Sequence, residues 1–203
     1  MIDFGIWEEI KGFMAPKEAK RLFEISLEAS QYGPVIEIGS YCGKSAYVIG
    51  SACRQTRSIL FSIDHHTGSE EQQPGQAYYD PDLYDTNLSR VNTFPFFQDT
   101  LIKTDLEGIA IPVVTDSVSA GKMWETPISM LFIDGGHSFE AANNDYITWA
   151  PHLIKGGFLV MHDIFFNPEE GGQAPRKVYD AAVGSGNYIV HDMIKTLGVL
   201  ERI

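Results

Sequence analysis

Short apolar runs bounded by turn formers alternate along this chain with longer stretches in which apolar positions recur every three or four residues. The runs at Val35, Ile36 and Ile38, Ser58–Asp64 (SILFSID), Ala110–Val114, Ile128–Asp134 (ISMLFID) and Phe158–Met161 predict strands buried inside a sheet. Helical spacing is expected over Pro16–Gln31, Lys44–Ala52, Asp82–Val91, Phe96–Leu106, Ser138–Trp149 and Arg176–Val183. In the first of these, Pro16 suits the opening turn, and Leu22, Phe23, Ile25 and Leu27 make a broad apolar face. A glycine turn at Gly156-Gly157 is expected before the fifth strand. The last stretch, Tyr188–Ile203, reads as two strand-like halves with a turn at or near Leu197-Gly198. Strand and helix in regular alternation predict an α/β fold. Its sheet has about seven strands, mostly parallel, with a C-terminal antiparallel hairpin and helices on both faces.

Composition narrows the class. The 203 residues suffice for one domain with a full core, and neither an internal repeat nor a second domain is visible. A net charge of -12 argues against a nucleic-acid partner, because no basic run offsets the repulsion of phosphates. Two cysteines are too few for a disulfide framework or a zinc site, which points to a reduced compartment. The acidic start, MIDFGIWEEIKGF, lacks the apolar core of a signal peptide, and no run reaches membrane-spanning length. A cytoplasmic protein with no membrane partner is expected. The apolar segment Phe4–Phe13 is open to packing on its own domain or on a second copy, so a homo-oligomer is allowed.

The candidate chemistry gathers after the strands. PVIEIGSYCGKS at Pro34–Ser45 is a strand, a glycine turn and the start of a helix, which places backbone N–H groups at a helix N-terminus. The dinucleotide fingerprint fails because Tyr41 stands where its second glycine belongs, and a phosphate loop fails because only three residues separate Gly39 from Gly43. Glu37 is a carboxylate where a phosphate site would not want one. Asp64 ends the second strand about 20 residues past the glycine turn, where an acid takes ribose hydroxyls. Glu37, Asp64, Asp116, Asp134 and Asp163 all fall at carboxyl ends of predicted strands, with His65, His66, His137 and His162 beside them. In open α/β sheets that edge holds the ligand. Long loops at His65–Asp80 and Phe165–Pro175 are candidate substrate loops; the aromatics Tyr78, Tyr79, Tyr84, Phe94, Phe96 and Phe97 serve either as a lid or as anchors to the core.

The pattern E-x-G-x-x-x-G resembles motif I of class I S-adenosylmethionine (SAM) dependent methyltransferases, and IEIGSYCGKSA is especially similar to its catechol O-methyltransferase version. DGGHSFEAANNDYITWAPHLIKGGFLVMHD resembles the methyltransferase-24 branch, which includes natural-product and sugar O-methyltransferases. The resemblance spans Gly33 to about Phe165 and implies a Rossmann-like class I methyltransferase fold. It implies methyl transfer to a small-molecule acceptor, at oxygen. It further implies that Gly39, Tyr41, Gly43 and Ser45 surround the methionine part of SAM, with Asp64 on the ribose and Asp116 and Ser117 on the adenine, and that Glu37, Ser40 and Asp134 also belong to the cofactor site.

Metal-dependent relatives hold Mg²⁺ through an acid after the fourth strand and two oxygen ligands after the fifth, positions matched here by Asp134, His162 and Asp163. The histidine departs from that pattern: imidazole suits transition metals better than Mg²⁺. Mg²⁺, another divalent metal, or no metal with His162 as a hydrogen-bonding partner are all open. His137 stands where some relatives carry a base, and a histidine can take a hydroxyl proton near neutral pH; a capping role or a bond to a carboxylate is its alternative. Two other functions remain to be weighed. One is a nucleotide hydrolase in which GSYCGKS acts as an unusual phosphate loop through Lys44, and the other is a SAM-binding protein without catalysis.

Overall fold

The computed structural model describes residues 2–203. Seven strands form the main sheet: β1 (Val35–Ile38), β2 (Leu60–Asp64), β5 (Ala110–Val114), β6 (Ile128–Ile133), β7 (Leu153–Met161), β8 (Tyr188–Ile194) and β9 (Leu197–Arg202). Their order is β5-β2-β1-β6-β7-β9-β8; β9 runs antiparallel to β7 and β8, and the other pairs are parallel. All four residues of β1 and all six of β6 are buried, which is why both read as largely apolar runs, interrupted only by Glu37 in β1 and Ser129 in β6. The sheet reverses its direction of winding between β1 and β6, so a crevice opens at their carboxyl ends.

Helices cover both faces. One face packs α1 (Phe4–Glu9), α2 (Pro16–Ala29), α3 (Lys44–Thr56) and α4 (Phe94–Lys103) over Val35, Leu60, Met130, Phe132, Val160 and Val199. The other packs α5 (Ser117–Gly121), α6 (Phe139–Trp149) and α7 (Ala174–Gly184) over Ile36, Ile63, Leu131, Leu159 and Leu200. The segment Phe4–Phe13 folds onto its own chain. Trp7 is buried, and Lys44 Nζ lies 4.3 Å over its ring.

Two expectations are corrected, and the position of the terminal turn is fixed. No helix forms over Asp82–Val91. A 3-10 turn at Pro81–Leu83 leads instead into a small hairpin, β3 (Tyr84–Asp85) and β4 (Arg90–Val91). The Asp85 carboxylate accepts from the N–H groups of Asn87 and Leu88, and this local turn outcompetes a helix. The glycines at Gly156-Gly157 lie inside β7 at a register shift against β6, not ahead of it. The terminal hairpin turns at Lys195-Thr196, with Lys195 at φ +53°. Gly198 serves close packing rather than turning, since a side chain there would overlap the Tyr179 ring.

Candidate active site

A cavity of about 520 Å³ opens at the carboxyl ends of the parallel strands. Gly39, Ser40, Tyr41, Ser45, Asp64, Asp116, Ser117, Asp134, His137, His162 and Asp163 all line it. Glu37 and Gly43 do not. Gly43 begins α3 in the left-handed region at φ +93°, and Gly39, at φ +85°, lets the turn pass so close to Asp134 that any Cβ would overlap its carbonyl.

The turn's N–H groups are not free, as the strand–turn–helix order had suggested. Those of Ser40 and Tyr41 each donate to Asp64 Oδ2 at 2.9 Å, and that of His66 donates to Oδ1 at 2.6 Å. Asp64 therefore braces the turn while one edge of its carboxylate still faces the cavity. Tyr41, at φ +48°, supplies the backbone bend that aims two successive amides at one oxygen. Lys44 is committed elsewhere: its Nζ donates to the Ile10 carbonyl at 2.7 Å. A phosphate loop needs that ammonium on a β-phosphate, so the nucleotide-hydrolase alternative has no lysine to use.

Glu37 lies beneath the floor, fully buried. Burial pushes its carboxyl up to about 8, helped by the charges of Asp134 and Asp64 and opposed by bonds from Ser45 and Ser62. Its Oε2 accepts from the Ser62 hydroxyl at 2.7 Å, whereas Oε1 has no partner. A protonated Glu37 fits this setting. At the other end, Asp116 caps α5 by accepting from Ser119 N at 2.8 Å, and Ser117 Oγ accepts from the Trp149 indole at 3.0 Å. Both still border the cavity. Asp145, which nothing in the sequence distinguished, lies beside them with burial raising its carboxyl to about 6 against a Ser117 hydrogen bond.

Charged groups along and behind one wall of the cavity form a chain. His137 Nε2 lies 2.9 Å from Asp163 Oδ2, and its Nδ1 lies 2.9 Å from Glu71 Oε2. The Asp163 hydrogen bond, opposed by burial and joined by the charges of Asp163 and Glu71, lifts the ring to about 9. His162 Nδ1 lies 3.0 Å from Asp134 Oδ1 and 3.5 Å from Asp163 Oδ1, and its Nε2 lies 3.3 Å from Glu18 Oε2. Burial disfavours charge on that ring, but Asp134, Asp163 and Glu18 outweigh it and hold the ring well above its ordinary value. Burial likewise works against the Asp163 carboxylate, yet bonds from His137 and His162 keep it well below the usual carboxylate range.

Among the described residues, Asp134, His162 and Asp163 form the group able to hold a metal ion, their ligand atoms lying within 4.8 Å of one another. Ligands adjacent on an octahedron with bonds near 2.1 Å stand about 3.0 Å apart, and the His162–Asp134 and His162–Asp163 separations are close to that. The donor set fits a divalent ion.

Three participants escaped sequence reading. Glu71 sits in the polar loop, where composition marks a functional stretch but no single residue. Glu18 lies in a leading helix far from any motif, and Asp145 lies mid-helix. Of the four histidines after strands, His66 turns away. It is buried against Phe94 and Phe97 with Nδ1 2.8 Å from Thr93 Oγ1, and those two phenylalanines serve as anchors. Tyr78 and Phe13 instead face each other over the mouth of the cavity, 5.4 Å between ring centres.

The family model described as a methyltransferase domain matches residues 36–164. Among solved structures, the chain is similar to an O-methyltransferase from Bacillus cereus in complex with SAH, at 10% identity over 100% of this chain and 93% of that one, with a TM-score of 0.66. It is also similar to TomG from Streptomyces achromogenes, an O-methyltransferase of tomaymycin synthesis in complex with SAM (15% identity, 93% and 79% coverage, TM-score 0.59). A third similar fold is a TDP-rhamnose 3'-O-methyltransferase of calicheamicin biosynthesis (12% identity, 91% and 77% coverage, TM-score 0.63).

Proposed function

Because the chain belongs to the methyltransferase-24 family and is a SAM-dependent methyltransferase, we propose that it methylates a hydroxyl oxygen of a small molecule with the His137–Asp163 pair handling the proton. The observation that carries this reading is the continuity of one cavity from the glycine turn to that pair. SAM lies along the turn, its ribose on the free edge of Asp64 and its adenine near Asp116, Ser117 and Asp145. The methyl then points toward His137 and Asp163.

Transfer is an in-line displacement. The acceptor oxygen forms a bond to the methyl carbon as the carbon–sulfur bond breaks, and S-adenosylhomocysteine leaves neutral at sulfur. The acceptor's proton must go to a base. In the ligand-free cavity His137 is engaged at both nitrogens and carries the proton itself. Glu71 sits on a surface loop and occupies the place of the acceptor. An incoming hydroxyl displaces Glu71 from Nδ1 and removes one of the charges that raise the ring. Asp163 keeps hold of Nε2–H, so the neutral ring presents the Nδ1 lone pair to the hydroxyl. A divalent ion held by Asp134, His162 and Asp163 would supply positive charge that favours the alkoxide. Asp163 suits both tasks, since Oδ1 faces His162 and Oδ2 faces His137.

Both cysteines are buried and free, which supports a reducing, cytoplasmic setting. The direct test is release of S-adenosylhomocysteine over a panel of hydroxylated small molecules. Turnover is expected with at least one member, falling by about 10²–10⁴ in His137→Gln while SAM binding persists. Failure of the wild-type protein to bind SAM or S-adenosylhomocysteine would overturn the reading.

A further inference from the structure

Resting on the metal reading above, we propose that Glu18 is a positioning residue for that metal and that it sets the choice of ion toward nitrogen-tolerant transition metals over Mg²⁺. Glu18 is 3% exposed and every donor around it is accounted for. Oε1 accepts from Thr196 N at 2.9 Å and from the Thr196 hydroxyl at 2.7 Å. Oε2 accepts from Ala15 N at 2.9 Å and faces His162 Nε2 at 3.3 Å. Three backbone and hydroxyl donors already point at the Glu18 oxygens, so both oxygens accept and Nε2 of His162 faces Oε2 as the fourth donor.

That assignment decides what the other nitrogen does. With Nε2–H fixed on Glu18, Nδ1 is the ring nitrogen left to face a metal. This atom lies 3.0 Å from Asp134 Oδ1 and 3.5 Å from Asp163 Oδ1. Together with Asp134 and Asp163 it would offer a divalent ion one imidazole nitrogen and two carboxylate oxygens. A carboxylate behind a ligating histidine fixes ring orientation and raises its basicity, and loss of such a partner commonly weakens metal binding by about 10- to 100-fold. An imidazole in the set favours Co²⁺, Ni²⁺ or Zn²⁺, whereas Mg²⁺ demands oxygen and retains its waters.

Glu18 lies outside the matched family segment, residues 36–164, so the family comparison does not include it. Its position is a tertiary product. It lies in the first turn of α2, reaches His162 just past the end of β7, and is tied to the β8–β9 turn through Thr196.

The test is calorimetric titration of the purified full chain with CoCl₂ and separately with MgCl₂, for wild type, Glu18→Gln and His162→Asn, with thermal melts of each metal-free protein in parallel. Wild type is expected to bind Co²⁺ at least 10-fold more tightly than Mg²⁺. Glu18→Gln should lose about 10- to 100-fold in Co²⁺ affinity with a much smaller change for Mg²⁺. His162→Asn, which offers an oxygen in place of the nitrogen, should collapse the ratio. If both affinities fall together in Glu18→Gln, in step with its melting temperature, Glu18 is only a structural tie and the inference fails. If Glu18→Gln does not fold, the ion preference of wild type against His162→Asn decides: an unchanged ratio overturns the proposal. Should wild type bind neither ion, the metal assignment itself falls, while SAM binding remains as a separate readout of the methyltransferase reading.

Discussion

Gly39 and His137 both line the cavity, and each yields a test at the scale of one residue. A Cβ at Gly39 would overlap the Asp134 carbonyl, and the residue sits at φ +85°. The left-handed conformation alone costs about 1–2 kcal/mol for a non-glycine residue. Gly39→Ala is therefore expected to destabilise the fold by at least that amount and to abolish S-adenosylhomocysteine binding, measured by thermal melts and calorimetry. His137 rests near 9 in the free protein, so kcat/KM should climb with pH through that region as the ring becomes neutral. Glu71→Gln removes one of the raising charges, and the midpoint of the climb should move down. A pH profile whose midpoint ignores Glu71 would count against the displacement mechanism. The family resemblance offered His137 as a candidate base and Asp163 as a metal ligand, but nothing in the local sequence tied Asp163 and Glu71 to the ring as the two carboxylates that set its charge. They come from segments 66 residues before it and 26 after it in sequence.

At the scale of elements, the cavity is roofed by two segments that lie far apart in the chain. Lys11, just past α1, pairs with Asp80 at 2.6 Å and Asp82 at 2.9 Å on the long loop, and Phe13 meets both Tyr78 and Tyr41. The pairs are partly solvent-exposed, so Lys11→Ala should cost less than about 1 kcal/mol in global stability. Its effect should appear in ligand exchange: faster dissociation of S-adenosylhomocysteine and quicker proteolysis within residues 66–80. Unchanged rates in both would show that the contact fastens nothing. Elements with an apolar face were legible from spacing, because burial against the sheet writes the periodicity. The 82–91 stretch was not, since its form is set by Asp85 capping its own turn and by Leu83 and Val91 finding a small cluster under the loop.

For the molecule as a whole, a few buried ionisable groups shape stability against pH. Glu18 is held down to about 2, where its bonds from His162, Ala15 and Thr196 prevail over the opposing effect of burial. Its contribution is complete above the ordinary glutamate value of 4.5 and is lost as pH falls through 2. His137 works in the opposite sense: its contribution is complete below 6.5 and is lost as pH rises through 9. Glu37, raised to about 8, adds a penalty that grows from pH 4.5 to 8 as the unfolded chain ionises there and the folded one does not. Melting temperature should therefore decline on both sides of the mildly acidic region. Glu37→Gln is expected to flatten the alkaline decline and Glu18→Gln the acidic one, each read from thermal melts between pH 3 and 9. Coincident curves for wild type and Glu37→Gln would mean that Glu37 is ionised in the fold.

The sequence by itself determined the order of the main-sheet strands and of the longer helices packed on them, the glycine turn and the row of acids after the strands. Those features are local: a buried strand needs a run of apolar side chains, and a tight turn needs residues that tolerate positive φ. Tertiary structure alone decided how the acids are used. Asp64 spends three acceptor sites on the turn amides, Glu37 is driven beneath the floor, and Lys44 is drawn to the N-terminal segment. It also brought Glu18 and Glu71 to the two histidines. Hydrogen bonds and charge interactions act through space within a few ångströms, so partners far apart in sequence leave no mark on one another's local pattern.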